Sequence, residues 1–203
     1  MIDDLFHFYR SGTEPFRTLS ILSEEAAIQI MRDLYVEGAI FWERFEDPAQ
    51  YLRMRKQIEG YLRQTFIAKG GKPRESCPIY MTLGRSKWMQ NDIDAATLAT
   101  TEQIQVPLSL FQECDVSCTY PDSMVSFLLA TQNESEYYLP EYHGKVFTLT
   151  EVRSIVESLG LPGEKWGINL PRSMPNYIEA QVWNHEPLVE YKRQLIIGAT
   201  RRT

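Results

Sequence analysis

An α+β fold, with a mostly antiparallel or split β-sheet flanked by helices, is what this sequence predicts. Short alternating segments are interleaved with longer runs of helical periodicity, turn formers separate the two, and no segment repeats. With 203 residues, 43% hydrophobic and 24% charged, the chain carries enough apolar material for one core, and a single domain over residues 1–203 is expected.

Leu5-Phe6-His7-Phe8-Tyr9-Arg10 reads as a short strand stopped by Ser11, Gly12, Thr13 and Pro15. Ser23 can cap a helix that opens on Glu24 and Glu25 and carries the apolar Ala26, Ile28, Ile30, Met31 and Leu34. Asp47-Pro48 is a second start signal, with Asp47 as cap and Pro48 at the first helical position. That helix should run to Ala68, with Tyr51, Leu52, Ile58, Leu62 and Phe66 as its inner stripe, and stop at Gly70-Gly71. A strand over 77–83 ends at Gly84, and the polar stretch 91–103 reads as a mobile loop. The segment 105–111 predicts a strand that Pro107 confines to a sheet edge. Residues 116–120 extend the sheet, and Pro121-Asp122-Ser123 starts a helix through Ala130. A strand is expected over 142–147, then a helix opened by the capping-box pattern Thr148-Leu149-Thr150-Glu151 and closed at Gly160. Residues 189–197 read as a last strand, with Arg201 and Arg202 in a basic tail.

The formal charge of −6 argues against whole-surface attraction to nucleic acid or to an anionic membrane. One local exception is the segment 53–74, where Arg53, Arg55, Lys56, Arg63, Lys69, Lys72 and Arg74 face a single acid, Glu59. It reads either as a solvated helix face or as a surface for a phosphate-rich acceptor. Three cysteines leave one unpaired, which fits a reducing compartment, and His7, His143 and His185 are too scattered to predict a metal site. Asp3 and Asp4 stand where a signal peptide wants positive charge, and no apolar run approaches the roughly 18 residues of a membrane span. A cytoplasmic protein without membrane contact is expected.

The most informative stretch is Tyr177-Ile178-Glu179-Ala180-Gln181-Val182-Trp183. As a strand it puts Ile178, Ala180 and Val182 on one face and Tyr177, Glu179, Gln181 and Trp183 on the other. A carboxylate and an amide among aromatics suit a pocket wall better than a solvated face. Held partly out of water, Glu179 would titrate high and serve as acid, base or hydroxyl acceptor. The alternative is a structural ion pair between Glu179 and an arginine of a neighbouring strand. His7, among aromatics, is either a hydrogen-bonded core histidine or a ring-nitrogen ligand for a ribose hydroxyl or an amide. Arg10 follows it as a surface cation or an anion ligand. Gly-rich phosphate loop, nucleophile elbow and His-Glu-x-x-His motif are all absent, and nothing marks Cys77, Cys114 or Cys118 as an activated nucleophile.

The order of these segments resembles the ADP-ribosyltransferase fold, and within it the DarT-like family, which transfers ADP-ribose from NAD onto single-stranded DNA. Leu5-Phe6-His7-Phe8 is similar to that family's first strand, and Val106-Pro107-Leu108-Ser109-Leu110 with Asp122-Ser123-Met124 resembles its central segment. Lys145-Val146-Phe147-Thr148 resembles a strand end before a helix, and 178–183 the strand that carries the family's glutamate. The resemblance implies NAD as co-substrate, Glu179 as the catalytic carboxylate, and His7, Arg10, Tyr177, Gln181 and Trp183 around the nucleotide. It also implies that Glu179 stabilises the ribose cation formed when nicotinamide leaves. The reading set against it is a non-catalytic interaction protein with aromatics and the 91–103 segment as its partner surface.

Overall fold

The fold was obtained as a computed structural model, which describes residues 2–132, 135–166, 170–171 and 173–200. Its strands are β1 (Asp4–Arg10), β2 (Ile79–Leu83), β3 (Thr101–Pro107), β4 (Val116–Thr119), β5 (Phe147–Thr148) and β6 (Glu179–Val182). They form one six-stranded sheet in the order β3-β1-β2-β6-β4-β5, with every neighbouring pair antiparallel. The expected α+β class with an antiparallel sheet is therefore observed. The last strand in sequence lies in the middle of the sheet, so its residues are covered on both faces.

One face carries the main core. Leu5, Met81, Val116, Ile178, Ala180 and Val182 point into it, and α6 (Leu149–Leu159) and α7 (Glu186–Thr200) close it with Leu149, Val152 and Leu188. The opposite face receives α3 (Pro48–Ala68) and α5 (Ser123–Thr131), with Leu62, Phe66, Val146 and Trp183 in one buried cluster. Each fully buried Leu or Phe of α3 contributes about 1.5–3 kcal/mol, which ties the helix to that face. A smaller cluster joins α1 (Glu24–Leu34), α2 (Ile40–Glu43) and the first turns of α3 through Met31, Trp42, Phe45 and Leu52.

The local signals act as anticipated. Ser23 Oγ accepts from the Ala26 N–H at 3.3 Å, and Asp47 Oδ1 accepts from the Gln50 N–H at 2.9 Å. Both halves of the Thr148/Glu151 capping box form. At the end of α3, Gly70 takes φ +93 and the Gly71 N–H reaches back to the Phe66 carbonyl at 2.9 Å. Pro107 stands at the end of edge strand β3.

Four expectations are corrected. The stretch 91–103 contains α4 (Ala95–Ala99), capped by Asp94, and runs straight into β3. The strand expected over 105–111 ends at Pro107 and passes into a 3-10 turn, Leu108–Leu110. Of 142–147 only Phe147 joins the sheet, because the chain before it turns through Gly144 at φ +73. Residues 189–197 lie in helix α7: Leu188 and, one turn on, Tyr191 reach the core, while adjacent Val189 is 52% exposed. That is a helical period, not an alternating one. Arg201 and Arg202 lie outside the described residues. No helix among the described residues is long and apolar enough to cross a membrane.

Candidate active site

Sheet register builds the site. Thr82 of β2 and Thr119 of β4 both pair with Glu179 of β6, and Phe6 of β1 pairs with Thr82. Directly paired residues share a face, so Phe6, Thr82, Glu179 and Thr119 form a row across the sheet. Immediately beyond β4 the chain enters α5. Asp122 caps that helix, its Oδ1 accepting from the Val125 N–H at 3.0 Å, and the first helical N–H, that of Ser123, donates to Glu179 Oε1 at 3.1 Å. The positive helix end therefore points at the carboxylate.

A buried polar chain fixes Glu179 from behind. Trp183 Nε1–H donates to Ser117 Oγ at 2.9 Å, and Ser117 Oγ–H donates to Gln181 Oε1 at 2.9 Å. Gln181 Nε2 then donates to Glu179 Oε1 at 2.9 Å and to Thr119 Oγ1 at 3.0 Å. Every member is buried, so each bond is made in a low-dielectric interior where a missing partner would be costly.

In front of Glu179 lies a cavity of about 100 Å³ whose walls include Phe6, Tyr80, Thr82, Asp122 and Tyr177. It shares Phe8, Phe41, Arg44, Arg55 and Tyr80 with a second hollow of about 410 Å³ that extends past His7, Arg10, Leu34 and Trp42. The larger hollow falls in the size range of small-molecule sites, roughly 300–1,000 Å³. The two adjoin, with the two arginines at their common wall.

Among the described residues no Lys or Arg forms an ion pair with Glu179. Its neighbouring charge is another carboxylate. Burial, together with Asp122, raises Glu179 to about 7, against the opposing hydrogen bonds from Gln181 and Ser123. Asp122 is also raised by burial, opposed by its capping bonds and by Arg44. The Tyr177 phenol is pushed well above its usual range by burial and then by these two acids, so it stays protonated as a donor.

The two arginines are held differently. Arg44 is exposed and lies over Phe41, Phe45 and Tyr51 at 5.5, 5.1 and 5.7 Å from the ring centres. Arg55 is pinned inward: its Nε donates to Glu59 Oε1 at 3.0 Å and its guanidinium stacks 4.5 Å over Tyr80. Glu59 also accepts from Ser20 Oγ–H at 2.8 Å and from the Tyr80 phenol at 3.0 Å.

These observations redistribute the residues proposed from sequence. Glu179 and Tyr177 line the small cavity, and His7 and Arg10 line the larger hollow. Gln181 and Trp183 line neither. They form the buried support, because the strand's second face is covered by α3 and α5 instead of being open. His7 shares its side of β1 with Leu5, whereas Glu179 is in register with Phe6 on the other side. Both imidazole nitrogens are already used: Nδ1 contacts the Tyr80 carbonyl at 3.1 Å and Nε2 accepts from the Phe16 N–H at 2.9 Å. Burial lowers His7 to about 4, so it is a neutral latch at neutral pH. Arg10 caps the end of α1 by donating to the Asp33 and Leu34 carbonyls.

Comparison with family models, curated proteins and solved structures returned no match to this chain. The site rests on its own chemistry.

The basic segment 53–74 is not one open cationic face. Arg55 turns inward, Arg63 donates to the Glu75 and Pro73 carbonyls, and Lys69 and Arg74 pair with Glu151 and Glu186. Burial raises the Cys77 and Cys118 thiols, the opposite of nucleophile activation. Sequence reading missed Asp122, Thr82, Tyr80, Arg44 and the Arg55–Glu59 pair. One signal was legible: Glu59 stands on the α3 stripe of Leu52, Leu62 and Phe66, four residues after Arg55, where an unpaired charge would be prohibitive.

Proposed function

We propose that this protein is an NAD-dependent ADP-ribosyltransferase-like enzyme in which Glu179 acts on the bond between nicotinamide and ribose. What supports the reading is a carboxylate on a central strand, free of any cationic partner among the described residues, set in a cavity that adjoins a nucleotide-sized hollow. Cleavage sends the bonding electron pair to nicotinamide, which leaves neutral, and develops positive charge on the ribose carbon. An ionised Glu179 stabilises that charge, and an acceptor's nucleophilic atom completes the exchange as it sheds its proton. The Ser123 N–H and Gln181 amide hold the carboxylate on one oxygen, which leaves its orientation fixed before substrate arrives. The nicotinamide-side ribose presents its edge to the small cavity, with Tyr177 and Phe6 as walls. The diphosphate lies along Arg44, and the adenosine in the larger hollow beyond it.

Calorimetry with millimolar NAD, paired with chromatography for released nicotinamide, tests this. Wild-type protein should bind NAD and release nicotinamide, while Glu179→Gln should bind but release at least about a hundred-fold less. A wild-type protein that does not bind NAD at that concentration overturns the proposal.

A further inference from the structure

We propose that the outer edge of β3 is an interface for a second copy of this chain, the two β3 strands pairing antiparallel about a two-fold axis at Ile104. β3 is an end strand of the sheet and pairs with β1 alone. Its backbone groups alternate between β1 and the outside, and the bonds at its two ends fix the parity. The Leu108 N–H donates to the Asp3 carbonyl at 2.8 Å and the Ser11 N–H to the Thr100 carbonyl at 2.9 Å, so the even-numbered residues face β1. Thr101, Gln103, Gln105 and Pro107 therefore turn their backbone groups outward. The Tyr191 phenol, donating to the Gln105 carbonyl at 3.0 Å, meets one of these groups. Among the described residues nothing accepts from the Thr101, Gln103 or Gln105 N–H, and Glu102, Gln103 and Gln105 are exposed.

An open edge is a template for another strand, and folds blunt it with a bulge, an interior proline or lysines. β3 has none of these. Its seven residues pair one for one with β1, Pro107 comes only at the end, and its single charge, Glu102, accepts from the Tyr9 phenol at 2.7 Å. The strand is also its own complement. A two-fold at Ile104 sets Gln103 opposite Gln105 of the second copy, so the two exchange both backbone bonds and their side-chain amides meet. The Thr101 N–H then reaches the Pro107 carbonyl of the second copy, and Pro107 itself has no outward N–H to satisfy. Ile104, half-buried against the main core, meets its counterpart at a non-hydrogen-bonded position, where side chains approach most closely. Glu102 falls opposite Val106, so no acid faces an acid in a chain of charge −6. The far edge, β5, has two residues and offers no comparable template, so pairing closes at a dimer instead of running on as a fibre.

Sedimentation velocity on the full chain, from about 1 μM to about 1 mM, tests this together with hydrogen exchange at single amides. A dimer should form as concentration rises. The Gln103 and Gln105 amides should slow with it, while the Ile104 amide, already directed at β1, keeps one rate throughout. Gln103→Pro removes one outward donor from each copy at a position where an edge strand tolerates proline, and should weaken dimerisation at least about ten-fold. If that variant does not fold, Gln103→Lys, which puts a charge on the open edge, should weaken it instead. A chain that stays monomeric overturns the proposal, whether water or an extended segment of another protein then covers the edge. A dimer that ignores the substitution, or whose Gln103 and Gln105 amides exchange as fast as in the monomer, meets through another surface and overturns it too. NAD enters neither readout, so the interface stands or falls apart from the reading of Glu179.

Discussion

Glu179 and His7 titrate in opposite directions for the same cause, burial, and the signs lead to different pH windows. A carboxylic acid raised from 4.5 to about 7 favours the folded state below the unfolded value and loses that advantage as pH rises through the folded one. At 1.36 kcal/mol per pH unit this is about 3 kcal/mol, present at pH 4 and gone by about pH 8. Glu179→Gln keeps both acceptor bonds without the charge, so it should melt several degrees above wild type at about pH 8 and level with it at about pH 4.5, by scanning calorimetry. His7 behaves conversely. Lowered from 6.5 to about 4, it contributes stability that is complete above the unfolded value and is lost as pH falls through that window. His7→Asn should flatten the wild-type loss of denaturant midpoint between those two values. A carboxylate placed where its ionisation strains the fold is the expected mark of a functional group, since activity and stability ask different things of it.

Helix α5 does two jobs with three consecutive residues. Asp122 caps it, Ser123 grips Glu179, and Met124 joins the cavity wall. Asp122→Asn retains an oxygen for the Val125 N–H but removes the negative charge beside Glu179. The Glu179 titration, followed by carboxylate carbon resonances, should therefore move down by about one pH unit with little change in stability. Helix α3 is anchored by a buried charge pair as well as by its apolar stripe. Glu59→Gln leaves Arg55 buried without its counter-charge, and should cost about 3–5 kcal/mol by urea unfolding, more than an exposed pair such as Lys69–Glu151 would. The capping signals of α1, α3, α5 and α6 were legible because each depends on neighbours within four residues. Helix α7 was misread as a strand because Val189, Tyr191, Ile196 and Ile197 look β-forming one by one. The placement of Leu188 and Tyr191 against the core, one turn apart, overrode that preference.

The sheet order is what makes a site out of scattered residues. Inserting β6 between β2 and β4 brings Glu179 beside Thr82 and Thr119 and seats α5 at its front. It also buries Gln181 and Trp183 behind the carboxylate instead of presenting them. Trp183→Phe removes the donor at the root of the Trp183–Ser117–Gln181 chain. It should cost about 1–3 kcal/mol in denaturant and loosen Glu179, lowering any nicotinamide release more than NAD affinity. The two adjoining hollows are likewise a property of the assembled sheet, α2 and α3 together, and no single segment foretells them.

Alternation over 177–183, helix starts at Ser23, Asp47, Asp122 and Thr148, and a net negative charge are all fixed by short-range pattern, and they pointed to an α+β chain with Glu179 as its most telling side chain. Which neighbours that carboxylate meets was set elsewhere. Strand pairing, cavity walls and the face on which His7 falls depend on contacts between residues distant along the chain, and such contacts form only when the whole apolar surface is buried at once.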